Sequence, residues 1–170
     1  SWGDVEHCVN TPEFYNFELV DRNGDKFDIR YFHYQRKSWV ERPVAHKKQV
    51  IDAVNQGNTL VITNYGFHNQ KTRDLCGMFE SMFDVYSNLH VYCGLKSSSS
   101  FKVHDDYPAN FIMQVEGKTH WRVFKNRLSY LYRTGYSYGS LNVDDLEVAV
   151  DTVLEPCLLY TSDAADDTPC

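Results

Sequence analysis

The chain has 170 residues, is 42% hydrophobic and 15% aromatic, and carries a formal net charge of -6. That length and apolar content exclude a disordered segment and suit one domain with a real core, and the acidic balance, with no basic stripe to neutralise phosphates, argues against nucleic acid as a partner. No apolar run approaches the roughly 20 residues of a membrane helix and no signal peptide opens the chain, so the expectation is no membrane and a soluble, intracellular, cytoplasmic protein.

The first residue is Ser1, so the sequence is expected to begin inside a longer protein. Ser1 to Glu6 has the composition of a helix cap, predicting a short helix with Val5 and Val9 turned inward. Glu18 to Val20, the turn Asp21-Arg22-Asn23-Gly24-Asp25 and Phe27 to Phe32 read as a hairpin around Asn-Gly. Tyr34 to Arg42 is aromatic and basic. Arg36, Lys37, Trp39 and Arg42 could contact a nucleic acid or a peptide, but a solvated loop with one anchoring Trp is the preferred reading. Pro43 to Asn55 reads as a helix with Val50, Ile51 and Val54 on one face and Gly57 as its stop.

Thr59 to Thr63 is a compact strand. Between Thr72 and Phe83, Leu75, Met78, Phe79, Met82 and Phe83 fall at i, i+3, i+4, i+7 and i+8, which predicts a helix packing that face on the core. Leu89 to Leu95 is a strand, Ser97 to Ser100 a polar link, and Phe101 leads into His104.

His104 and Asp106 stand two residues apart on an extended segment, where side chains alternate, so both point to one side and could grip one ion. Imidazole and carboxylate ligands suit Fe(II), Mn(II) or Zn(II), and one more His would complete a facial triad. Alone the pair is a weak signal, because His-x-Asp recurs by chance. The context sharpens it. Phe111 to Val115 is an apolar run, Glu116-Gly117-Lys118 a turn, and Trp121 to Phe124 is β-prone again, predicting a hairpin directly after the clip.

His104, Asp106, Asn110, Gln114, Gly117 and Trp121 together resemble the JmjC-type cupins, Fe(II)- and 2-oxoglutarate-dependent oxygenases that include ribosomal-protein and asparaginyl hydroxylases. The resemblance covers roughly residues 50 to 156. It implies an α+β fold, a cupin-type double-stranded β-helix (jelly roll) with N-terminal helices. It further implies His104 and Asp106 as metal ligands, Asn110 near the iron-binding end of 2-oxoglutarate, and Thr119 at its far end, where the family carries a basic residue. Lys118 is adjacent, but alternation sends it to the opposite face unless the register shifts.

Beyond the hairpin, Lys125 to Ser140 is rich in Tyr, Arg, Ser and Gly, with Tyr130, Tyr132, Tyr136 and Tyr138 close together, and reads as a substrate lid or an ordinary long loop. Leu146 to Leu154 alternates and is a strand. In the family, Leu154-Glu155-Pro156 would continue with Gly-Asp and reach a distal His. Here residues 157–170 resemble a translated sequencing adapter, and are expected to be a non-native tail that truncates the barrel before its last strands. Without that tail, 20 acids against 17 bases leave a charge of -3.

The expected organisation is therefore a helical and hairpin extension over 1–49, a partial JmjC-like domain over 50–156, and the tail. No His follows His120, so the distal ligand is expected to be absent from this chain. Among the other histidines, His120 belongs on the hairpin's outer face, His90 is the better outside candidate for ligation, and His33 and His68 lie in turn-like segments. Cys8, Cys76, Cys93, Cys157 and Cys170 form no C-x-x-C pair and read as free thiols. The functional expectation is an Fe(II)/2-oxoglutarate-dependent hydroxylase acting on a protein side chain or a small molecule, inactive as this fragment. The alternative is a cupin-fold binding module without turnover.

Overall fold

The computed structural model describes residues 1–11, 16–27, 32–37, 40–95, 101, 103–104, 109–126, 143–157 and 159–162. The chain divides into two compact units, Ser1–Lys102 and Val103–Cys170.

The first unit is built on an antiparallel sheet of β1 (Asn16–Val20), β4 (Thr59–Thr63) and β5 (Val91–Cys93), with β4 in the middle. The register sets Phe17 opposite Ile62, Leu19 opposite Leu60, and Leu60 opposite Cys93. Because side chains alternate, these residues share one face of the sheet. Two helices supply the other half of that core: α1 (Trp2–Asn10) through Cys8 and Val9, and α2 (Lys47–Asn55) through Val50, Ala53 and Val54. Val5 is partly buried against the same cluster, so the inward face read for the first helix is the one observed.

Several local expectations are corrected. The helix read from Pro43 starts at Lys47, and Pro43 instead sits in β3 (Val40–Ala45), paired with β2 (Phe32–Lys37). Among the described residues that sheet has two strands, so each has an edge without a ladder partner, where a proline without an N–H costs no ladder bond. The described part of the loop read over Tyr34 to Arg42 is therefore strand, the anchoring Trp39 lies outside the described residues, and His33 belongs to β2. In α2 the buried side chains are Val50, Ala53 and Val54, at i, i+3 and i+4, while Ile51 lies about 100° round the helix and is 47% exposed. Gly57 does end α2: its φ is +95°, and its N–H bonds to the Val54 carbonyl at 2.9 Å.

The Asn-Gly turn forms, and residues 28–31 of the strand expected after it lie outside the described residues. Lys26 makes a single bridge to Val20, Phe27 N–H donates to the Leu19 carbonyl at 2.8 Å, and the long partner of β1 is β4. The Asp21 carboxylate organises the turn by accepting the N–H groups of Asn23 (2.7 Å) and Asp25 (2.9 Å). These bonds, that from Asp25 foremost, hold it below the usual aspartate range.

The helix read over Thr72 to Phe83 is α3 (Gln70–Phe83), capped by Asn69, whose side chain accepts the Thr72 N–H at 3.1 Å. The expectation that its apolar face packs into the core is not met. No residue of α3 is buried, and Met78, Met82 and Phe83 are 48%, 65% and 48% exposed. The strand expected over Leu89 to Leu95 shortens to β5.

In the second unit, β6 (Asn110–Met113) pairs with β9 (Leu159–Ser162), and β7 (Thr119–Phe124) pairs with β8 (Val148–Leu154). The expected hairpin is thus replaced by a nested arrangement: the strands before and after Gly117 (φ +73°) lie in separate two-stranded sheets. A bulge between Val123 and Phe124 adds one residue to β8 and breaks its phase. Val150, Thr152 and Leu154 consequently face inward, while Val148 is 43% exposed. The Tyr-rich segment lies outside the described residues from 127 to 142. No helix among the described residues is long and apolar enough to cross a membrane.

Candidate functional site

The site expected from the sequence falls on the second unit. His104 is solvent-exposed on irregular backbone just ahead of β6. Asp106, its expected partner, lies outside the described residues. Asn110 opens β6 and is half-buried. Gln114 follows that strand; its side-chain amide donates to the Glu116 carbonyl at 2.7 Å, and its own carbonyl accepts the Cys157 N–H at 3.1 Å.

The two faces of the β7–β8 pair have different chemistry. On one face Thr119 stands opposite Leu154, Trp121 opposite Thr152 and Val123 opposite Val150. This is the more buried side: Leu154 is buried, and Trp121, Val123, Val150 and Thr152 are half-buried, with Thr119 exposed at the edge. The Trp121 indole Nε1 is fully buried with no hydrogen-bond partner among the described residues. An unsatisfied buried donor costs about 1–3 kcal/mol, so such a group calls for an acceptor.

The other face is charged. Lys118 forms an ion pair with Glu155, His120 Nε2 lies 2.5 Å from Asp151 Oδ1, and the Arg122 guanidinium sits 6.0 Å from the Phe124 ring centre. His120 is 57% exposed, which agrees with the outer-face position read from alternation. Lys118 is on this face too, with its ammonium engaged by Glu155. The register sets Thr119 against Leu154 and so keeps Lys118 off the inner face.

The donor set tests the fit of a metal. Imidazole and carboxylate at His104 and Asp106 have suitable chemistry, yet no group of three His, Cys, Asp or Glu side chains that could hold a metal occurs among the described residues. Those residues do not by themselves compose a metal centre. On the more buried face of the β7–β8 pair, Trp121 shares its side with Thr119 and Thr152. The order of strands places these groups, so the sequence motif alone could not single out Trp121 as a donor.

The remaining histidines are in the first unit. His90 is exposed, just before β5. His68, read as a turn residue, is 6% exposed at the end of a 3-10 turn (Tyr65–Phe67). Its Nδ1 lies 3.7 Å from the Cys8 sulfur, its Nε2 3.3 Å from Asp4 Oδ1, and its ring stacks on Tyr65 at 4.7 Å. A lone His between Phe67 and Asn69 gave no sequence signal for this role.

A model of the JmjC domain matches residues 62–162, more than half of the chain. Three curated relatives are similar to it, each named bifunctional lysine-specific demethylase and histidyl-hydroxylase NO66. The Drosophila erecta protein is 27% identical over 87% of this chain, the Drosophila mojavensis protein 30% over 58%, and the Drosophila willistoni protein 28% over 59%. The chain spans 25%, 11% and 13% of those relatives' own lengths.

Proposed function

The chain belongs to the JmjC domain family of cupin-type oxygenases, and from that premise we propose that it is part of an Fe(II)- and 2-oxoglutarate-dependent hydroxylase acting on protein side chains. The nested pairing of β7 with β8 inside that of β6 with β9 supports a jelly-roll arrangement, with β9 coming from the segment over 157–170 that the sequence reading set aside as a tail. The division into an extension over 1–49 and a JmjC-like domain over 50–156 belongs to the same reading. The names of the relatives supply the substrate class: lysine and histidine side chains of proteins.

The observation that carries the proposal is the coincidence of the family match with His104-x-Asp106 directly ahead of β6. Bound iron with 2-oxoglutarate would supply the oxidising chemistry, coupling decarboxylation of the cosubstrate to hydroxylation of a C–H bond. The chain's own contribution is binding and orientation. His104 and Asp106 would hold the metal, Asn110 would lie near the cosubstrate's iron-binding end, and Thr119 near its far end. Lys118, paired with Glu155, is left to stabilise the outer face.

The alternative, a binding module without turnover, draws on Thr119 standing where the family has a basic residue. One assay separates the two. The whole protein, given Fe(II), O2, 2-oxoglutarate and a histidine- or lysine-bearing peptide, is expected to form succinate and a peptide gaining 16 Da or losing a methyl group. The variants His104→Ala and Asp106→Ala are expected to lose bound iron with little change in fold. Full iron retention in both would refute the clip, and 2-oxoglutarate binding without turnover would leave the binding module.

A further inference from the structure

We infer that β9 is a releasable strap: it opens from β6 ahead of the β7–β8 ladder, because the turn that feeds it holds Cys157 in a backbone conformation that a residue with a Cβ resists.

Three observations carry this. Cys157 lies in the turn at 156–157 with φ +71°, inside the left-handed region. The other non-glycine residues with positive φ among the described residues are Asn64 and Asp84, residue types whose short polar side chains bond to nearby backbone and so tolerate that region. A cysteine side chain brings no such compensation, and its Cβ strains the closed turn.

The strap is also short. Its four residues, Leu159–Ser162, run from opposite Met113 to opposite Asn110, whereas β7 and β8 pair from Thr119 to Phe124 on one side and from Val148 to Leu154 on the other. The Cys157 N–H donates to the Gln114 carbonyl at 3.1 Å, one residue past β6, so the strained residue is itself the link that continues the ladder. Opening therefore relaxes the backbone of Cys157 while breaking few bonds.

The consequence falls on β6. Among the described residues it has no strand beside it but β9. Release of the strap leaves its N–H and C=O groups without a ladder partner, next to Phe111 and Met113, which are already 41% and 50% exposed.

The test is hydrogen exchange of the 170-residue chain followed by mass spectrometry. In the parent, the amides of 110–113 and 159–162 are expected to exchange at least about tenfold faster than those of 119–124 and 148–154. Glycine enters the left-handed region freely, so Cys157→Gly should slow exchange over 110–113 and 159–162 by about fivefold and leave the β7–β8 ladder unchanged, a gain net of the freedom that glycine adds to the open strap. Cys157→Ala keeps the Cβ and removes the thiol, and should exchange like the parent. Equal protection of the two ladders in the parent overturns the inference, as does an equal slowing of both by Cys157→Gly, since opening is then global. No slowing with glycine overturns it too. So does an alanine variant that slows as much as glycine, because the thiol and not the backbone would then set the opening.

Discussion

The ammonium of Lys118 is held by the carboxylate of Glu155 on the face of the β7–β8 pair opposite Thr119. Both side chains are more than half exposed, so the pair contributes no more than about 1 kcal/mol. Lys118→Ala is therefore expected to leave 2-oxoglutarate affinity unchanged and to lower stability by less than about 1 kcal/mol in urea denaturation. A marked loss of affinity would mean that Lys118 reaches the inner face after all.

His68 ties α1 to the turn after β4 through Cys8 and Asp4, 60 and 64 residues away in sequence. His68→Leu keeps an apolar bulk but removes both polar contacts and the stacking on Tyr65. We expect a loss of about 2 kcal/mol, read by urea denaturation with circular dichroism. No measurable loss would mean that α1 docks through Val5, Cys8 and Val9 alone.

Ile62 is fully buried at the centre of the three-stranded sheet, opposite Phe17 and Val91. Ile62→Ala should cost about 2–5 kcal/mol through lost burial and the cavity left behind. Met82 on α3 is 65% exposed, and Met82→Ala should cost no more than about 0.5 kcal/mol. The contrast between the two denaturation midpoints is the readout, and equal losses would show that the face of α3 is covered.

Burial pushes the Cys93 thiol up from 9.0 to about 11, with a further rise from the neighbouring Cys8. The folded state thus favours the neutral thiol. Its contribution to stability is fully present below pH 9.0 and is lost as pH rises through about 11. Cys93→Val should flatten that part of the decline between pH 9 and 11. At neutral pH a thiol reagent should modify exposed Cys157 quickly and reach Cys8 and Cys93 only on unfolding.

The sequence by itself determined the family pattern, the α1, α2 and α3 segments, the β4 strand, the Asn-Gly turn and the stop at Gly57. Each is written in contiguous residues: a helical repeat, an apolar run, a left-handed glycine. It also placed His120 on an outer face, because period-two alternation needs no partner strand. Only the tertiary structure decided which strand pairs with which. Phe111 to Val115 and Trp121 to Phe124 look like a hairpin locally, yet β6 and β7 each take a partner from beyond residue 147, since strand pairing is chosen by long-range register as well as by the intervening turn. The same choice fixed the inner face of β7–β8, gave Lys118 to Glu155, and left Trp121 with a buried donor. Burial was likewise decided in three dimensions: the helical repeat of α3 marks an apolar face correctly, but periodicity says nothing of what covers it.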